Sequence, residues 1–299
     1  MSESDARSAS PPGDGATIVM PAFNEAQAIR GCLEAVRSVM DRAGRPYEII
    51  VVDDGSTDDT AEIARREGVG VWALPENQGY GAALKAGIAR AAHDLIVIID
   101  ADGSYPAEVI PDLLAAAERY DMVVGARIGE NVAIPLERRP AKWVLGRLAS
   151  YLAGRDIPDL NSGLRVIRRG LVRRFAHLLP SGFSFTTTIT LAALCNGFLV
   201  RYHPIDYHPR IGESKIRPAH AFEFLMLVLR TIVYFNPLKV FLPLGAFFFV
   251  GGFLKFLYDL VIGDLSESAI MGLLAAGILW AIGLLSDQIS RIVMRPETS

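Results

Sequence analysis

LIVIIDADGSYP, residues 95–106, runs from five consecutive apolar residues straight into a pair of acids, Asp100 and Asp102. A short run that is apolar at every position fits a strand buried on both faces, as in a parallel sheet. Parallel strands need crossover connections, so helical patterns should lie on either side. Working outward, strands are predicted at residues 17–20, 47–52, 69–73 and 122–124. Helices are predicted at 25–40, 57–67 and 80–92, with Ser56 as the N-cap of the second. This alternation predicts βαβ units and an α/β, Rossmann-like, mostly parallel sheet. Polar clusters follow Met20, Val52 and Ile99, where the strands end. Ligands of such sheets bind at the carboxyl ends of the strands, so these clusters mark a candidate site.

The composition adds a membrane part. Hydrophobic residues make up 51% of the 299-residue chain and the mean hydropathy is +0.29, high for a soluble enzyme. Residues 221–235 are rich in Phe, Leu and Met and read as an interfacial helix. Residues 238–262 and 269–285 are nearly all apolar, close to the ~20 residues that a membrane span requires. A soluble helical hairpin that packs an oligomer is the alternative. Lys215, Arg217, Arg230 and Lys239 precede the first span, and Arg291 and Arg295 follow the second. The connecting segment holds Asp264 and Glu267 and no Lys or Arg. The positive-inside tendency then predicts a multi-pass protein of the inner (cytoplasmic) membrane, with its catalytic domain and both termini cytosolic. The predicted organisation is a disordered tail at 1–15, a catalytic domain at 16–218, an interfacial helix at 219–236, and two spans with a short tail at 237–299. The tail lacks the apolar core of a secretory signal. A formal net charge of -3 gives no bulk field for nucleic acid. Cys32 and Cys195 lie far apart without CxxC spacing, so reduced cytosolic thiols are expected.

The acids carry the chemistry. Asp100 and Asp102 can flank one ligand site, and hard cations such as Mg2+ or Mn2+ accept carboxylate and phosphate oxygens together. A cation held between this pair and a nucleotide diphosphate neutralises charge on the leaving group. A solvated acidic turn would carry the same letters. Asp53, after the strand 47–52, can accept hydrogen bonds from a base or ribose, although an acidic helix entry explains part of DDGSTDD. Asn24 reads as an N-cap, and Glu25 can face a nucleotide. Glycines in NQGYGAA permit close backbone approach. Asn161-Ser162-Gly163 lines a sugar pocket or forms a strand-edge turn. Arg210, Ser214 and Lys215 form a basic cluster near the membrane boundary, where binding to anionic lipid is the other reading. His203 and His208 lack metal-cluster spacing and read as loop histidines.

Taken together, PAFNEA (21–26), VVDDGSTDDT (51–60), NQGYGAALKAGI (77–88), DADGSYP (100–106), DLNSGLRVIRR (159–169) and YHPRIGESKI (207–216) resemble the family-2 glycosyltransferases of GT-A fold. Within them, the chain is most similar to the dolichol-phosphate mannose synthase-like, or polyprenyl-phosphate glycosyltransferase, group. The resemblance covers residues 17–218. It implies a GT-A catalytic domain followed by membrane helices, and inverting transfer of a hexose from a UDP- or GDP-linked sugar to undecaprenyl or dolichyl phosphate. It further implies that Pro21, Ala22, Asn24 and Glu25 hold the nucleoside with Asp53, while Asp100 and Asp102 hold the metal and donor with Asn161 and Ser162. Arg210, Ser214 and Lys215 are placed near the donor diphosphate and acceptor phosphate. Arg127 matches the acceptor-phosphate arginine, with Arg138 or Arg139 as a second. Asp102, Arg127, Arg210 and Lys215 are then the catalytic set. The implied partners are a nucleotide sugar, a polyprenyl phosphate lipid and the membrane. A homo-oligomer is left open and no nucleic acid is expected.

Two departures from the family pattern carry information. Relatives often have DxDxQ, where an amide helps bind metal, and here that position is Ser104. Many family-2 enzymes place an acidic general base late in the domain, where this chain reads SFTTT (184–188). A sugar-hydroxyl acceptor needs such a base. A phosphate monoester, with its second pKa near ~6, is already an oxyanion at neutral pH. The missing acid therefore favours a lipid-phosphate acceptor. A non-catalytic scaffold and a transferase acting on a glycan hydroxyl are the rivals. A processive synthase would carry QxxRW and further spans, which this sequence lacks.

Overall fold

The computed structural model describes residues 15–132, 146–147, 149–151, 153–182, 184–210 and 233–293. The chain divides into two compact units, Met1–Arg147 with Ile157–Ala221, and Leu148–Asp156 with Phe222–Ser299. Arg138, Arg139, Ser214 and Lys215, the tail at 1–14 and most of the expected interfacial helix lie outside the described residues.

The first unit is built on a seven-stranded sheet. An inner strand, β1 (Ala16–Ala22), is buried at every position. β2 (Tyr47–Asp53) pairs parallel with it on one side, and β3 (Gly70–Ala73) pairs parallel with β2 at that edge. On the other side of β1 lies β4 (Leu95–Ile98), again parallel and wholly buried. The sheet continues through β6 (Arg165–Arg168), β5 (Met122–Val132) and β7 (Val200–Tyr207), in the order β3-β2-β1-β4-β6-β5-β7. β6 runs antiparallel to both of its neighbours, while β5 and β7 are parallel. All strands but β6 therefore point one way, and their carboxyl ends share an edge with the amino end of β6.

The expected strands are present, and the one at 122–124 extends to Val132. Its continuation past Val124 pairs with β7, whose apolar content is too low to signal a partner in sequence. α1 (Ile29–Ala43) buries Ile29, Leu33, Val36 and Met40, a spacing of three to four residues that keeps one face on the sheet. Each such side chain, fully buried, contributes roughly 1.5–3 kcal/mol. Gly44 closes this helix in the left-handed region at φ 66°, satisfying orphan carbonyls. α2 (Thr60–Arg66), α3 (Tyr80–Arg90) and α4 (Ile110–Ala116) follow. Later come α5 (Arg169–Arg174) and α6 (Phe185–Cys195). At the β3 edge, the Arg90 guanidinium lies 3.3 Å above the Trp72 ring and covers that exposed strand.

Two helix entries differ from expectation, for one physical reason. α1 starts at Ile29 rather than residue 25, and α2 starts at Thr60 rather than residue 57. Ser56 and Asn24 are not helix caps. Asn24 sits at φ 54° and accepts from the Thr57 N–H at 2.8 Å, while Ser56 Oγ accepts from the Asn24 N–H at 2.9 Å. The Glu25 N–H donates to Thr60 Oγ1 and the Ala26 N–H to Asp58 Oδ2. The polar run after β2 thus satisfies backbone amides of the loop after β1, and two strand-end loops become one rigid rim.

The second unit contains α7 (Leu238–Ile262) and α8 (Glu267–Val293), both long and apolar enough to cross a membrane. They approach closely at Gly252 and Gly272, where a Cβ on Gly252 would lie 2.9 Å from the Leu273 nitrogen. Small residues at such a crossing let backbones pack without a hydrophobic driving force. Lys255 pairs with Asp259, which also accepts from the Ser266 N–H at 3.0 Å. Asp259 thereby ties the end of α7 to the start of α8.

Candidate active site

A cavity of about 440 Å³ opens along the edge where the strands of the first unit end. Pro21, Ala22, Phe23 and Glu25 come from the loop after β1, and Asp54 from the turn after β2. Asp100, Ala101 and Asp102 follow β4, and Arg127 lies on β5. Asn161 and Gly163 precede β6, Tyr207 and Arg210 end β7, Tyr80 opens α3, and Thr186 lies in the first turn of α6.

Asp100 and Asp102 share this cavity, as the alternation of strand-end side chains requires. Burial, and next the charge of Asp102, push the Asp100 carboxyl up to about 7. Its Oδ1 accepts from the Tyr80 hydroxyl at 2.8 Å. Asp102 is buried, and its Oδ1 accepts from the Ser104 hydroxyl at 2.5 Å and the Ser104 N–H at 3.0 Å. Its Oδ2 lies 3.4 Å from Arg210, whose guanidinium also reaches Glu25 Oε1 at 3.3 Å. The site therefore concentrates negative charge, and Arg210 is the arginine that bridges two of its acids. Cys32 lies near this turn, where burial above all pushes its thiol up to about 11, so it stays a protonated packing group.

The opposite wall is basic and braced. Arg127 Nε and Nη2 donate to the two oxygens of Asp159 at 2.7 and 2.9 Å, and Nη2 also reaches Asn161 Oδ1 at 2.7 Å. The Tyr207 ring lies 5.2 Å from the guanidinium. Arg165 is fully buried behind this wall and donates to the Ser162 and Thr186 carbonyls and to Thr190 Oγ1.

Residues 17–175, more than half of the chain, match the model of glycosyl transferase family 2. The chain belongs to that family. Residues 236–292 match a second description, the GtrB C-terminal hairpin, in agreement with the α7–α8 pair. The dolichyl-phosphate hexose transferase of Haloferax volcanii is 35% identical over 207 residues, covering 69% of this chain and 88% of that protein. Among solved structures, glucosyl-3-phosphoglycerate synthase from Mycobacterium tuberculosis, in complex with Mn2+, UDP and phosphoglyceric acid, superposes with a TM-score of 0.59 at 21% identity. That match covers 74% of this chain and 79% of the other. Mannosyl-3-phosphoglycerate synthase from Rubrobacter xylanophilus gives 0.58 at 21% identity, covering 74% and 73%. At these identities the likeness shows the fold, which is that of the GT-A neighbours.

In this family-2 glycosyltransferase, Pro21, Ala22, Glu25, Asp100, Asp102, Arg127, Asn161 and Arg210 all line one cavity. Three expected donor contacts do not. Asn24 turns its amide oxygen to Thr57, Asp53 turns Oδ1 to the Ser56 N–H, and Ser162 is buried with its hydroxyl on the Gly125 carbonyl. They build the rim and the wall, because each satisfies a backbone group that the loop leaves exposed. Asp54 takes the place at the wall expected of Asp53, with both carboxylate oxygens accepting the Gln78 and Gly79 N–H groups. Arg127 reaches the cavity with its charge already matched by Asp159, an acid inside the DLNSG stretch that carried no mark of its own. Tyr80 was also missed, since the glycines around it dominate the reading of NQGYGAA. The aromatic at the first helical position after a close-packed glycine was the available signal.

Proposed function

We propose that this glycosyltransferase moves a hexose, with inversion, from a nucleotide sugar to a polyprenyl phosphate at the cytosolic membrane face. One observation carries the reading: the wall formed by the start of α6 has threonine where an acidic base would stand. Thr186 lines the cavity there, followed by Thr187 and Thr188. The carboxylates that do line the cavity are committed elsewhere. Asp54 holds backbone amides, Glu25 and Asp102 face Arg210, and Asp100 accepts from Tyr80. Among the described residues, an acceptor hydroxyl would find no uncommitted base. A phosphate monoester arrives as an oxyanion and attacks the anomeric carbon in line, with the nucleoside diphosphate leaving from the opposite face. The lipid-phosphate relative and the membrane hairpin support the same acceptor.

The donor nucleoside is assigned to Pro21, Ala22, Glu25 and Asp54, with Asn24 and Asp53 shaping the rim behind them. Asn161 faces the sugar and Ser162 fixes the turn. The donor set of Asp100 and Asp102 fits a hard divalent cation: two carboxylates in one pocket, with burial and then the Asp102 charge raising the Asp100 carboxyl to about 7. Structural neighbours that bind Mn2+ and UDP support that fit. When bound, the cation neutralises charge developing on the departing diphosphate. Arg210, now shared between Glu25 and Asp102, is positioned to transfer its charge to that diphosphate. Lys215 and Ser214 follow within a few residues and are assigned to the phosphates, while Arg127, Arg138 and Arg139 are assigned to the acceptor. The flanking basic residues support cytosolic termini, which place the site beside its lipid and raise the local acceptor concentration.

The test is to incubate membranes containing the protein with labelled nucleotide sugars and extract the organic phase. Label in an acid-labile lipid is the expected result. No lipid label with any donor would favour a non-catalytic scaffold.

A further inference from the structure

Each acid of the 100–102 pair is held from behind by a hydroxyl. Tyr80 donates to Asp100 Oδ1 at 2.8 Å, and Ser104 Oγ donates to Asp102 Oδ1 at 2.5 Å. Neither contact is incidental to the fold. Ser104 is fully buried, its N–H reaches the same Asp102 oxygen, and its carbonyl accepts from the His208 N–H at 3.0 Å, two residues before Arg210. Tyr80 is aimed by the loop before it. Asp54 holds the Gln78 and Gly79 N–H groups, and Gly79 lies at φ 98° with room for no Cβ, which would sit 2.6 Å from the Ser181 carbonyl oxygen. α3 then begins at Tyr80 with its hydroxyl on Asp100. Gly163 backs the same carboxylate from below, where a Cβ would lie 2.4 Å from Asp100 Oδ2.

We propose that Tyr80 and Ser104 are positioning residues for the divalent cation, each donating to Oδ1 of one aspartate and so fixing the carboxylate that would hold it. This rests on the cation assignment under the proposed function. The pattern of charge agrees with it: the Asp102 oxygen that Ser104 leaves over is the one facing the Arg210 guanidinium. Ser104 therefore acts through Asp102 and is not itself a ligand. A hydroxyl two residues after the second acid does by orientation what an amide at that place does by coordination. Hydrogen-bond partners of ligating groups typically change metal affinity ~10–100-fold when removed.

The experiment measures Mn2+ binding by electron paramagnetic resonance on the full chain in detergent with a nucleoside diphosphate. Tyr80→Phe and Ser104→Ala are compared with the unaltered protein. Each should weaken Mn2+ binding by about tenfold or more. Nucleoside diphosphate affinity in metal-free buffer should stay unchanged, which separates loss of cation binding from a general loss of the site's structure. Tyr80→Phe keeps the ring and removes one oxygen, so folding is preserved. Unaltered Mn2+ affinity in either variant overturns the assignment for that residue. If the unaltered protein, with Asp100→Asn as its control, binds no Mn2+, the cation reading itself falls, and this proposal with it.

Discussion

Arg127 and Asp159 meet in a two-point clasp, with Nε 2.7 Å from Oδ2 and Nη2 2.9 Å from Oδ1. Asp159 has no exposed side-chain surface and Arg127 very little. Both charges have left water and pair with each other, and Arg127 also donates to Asn161 and lies against the Tyr207 ring. The pair fixes a planar cationic edge on the cavity wall without letting it collapse onto the acids opposite. Breaking one side of such a pair is costly because the remaining charge stays buried.

Asp159→Asn should therefore destabilise the protein by about 3–5 kcal/mol, measured as the shift of a denaturation midpoint in detergent. The double replacement Arg127→Met with Asp159→Leu should recover much of that loss and still abolish transfer. A single variant as stable as the parent would show that the clasp carries no strain-free charge pairing.

Arg210 bridges Glu25 and Asp102. Arg210→Gln should lower kcat by roughly 10²-fold, the scale for losing one donor to developing charge. Donor binding should weaken less than turnover. Steady-state kinetics over a range of nucleotide sugar concentrations separates the two effects.

Asp100 sets a pH dependence with a definite sign. Burial and the Asp102 charge raise its carboxyl to about 7, so the folded, cation-free site holds a proton that the unfolded chain has already released. Its contribution to stability is present at low pH and is lost as pH rises through about 7. A cation must displace the proton, so Mn2+ affinity should fall about tenfold per unit as pH drops below that point. Calorimetric Mn2+ titrations between pH 5 and pH 8 should show proton release on the acid side, and affinity independent of pH across that range would contradict the assignment.

The sheet was legible because β4 is apolar at every position and runs on into Asp100, and β2 carries an apolar run that ends in Asp53. The two long apolar helices were legible from length and composition. The site was legible as a set of strand-end clusters, but the partition of labour within each cluster was not. Asp53 and Asp54 are adjacent acids, and only the backbone geometry decides which one faces the cavity. Asn24 and Ser56 look like helix caps by type, yet they bond across from one loop to the next. Asp159 gains its meaning from Arg127, 32 residues away, and no local spacing encodes that contact.

The close crossing of α7 and α8 gives a further test. Gly252→Leu would drive a side chain into the backbone around Gly272 and Leu273. The variant should lose thermal stability in detergent, whereas Gly251→Leu, with open space at its Cβ, should not.

The proposed acceptor follows from the lining: among the described residues, threonine stands at the start of α6, and a nucleophile that is already ionised needs no base. Purified protein should be given one labelled nucleotide sugar and either polyprenyl phosphate or the matching polyprenol, and the lipid product measured. Transfer to the phosphate alone, lost in Asp102→Asn, is the predicted result. Equal transfer to the free alcohol, or to a glycan hydroxyl with none to the phosphate, would contradict it.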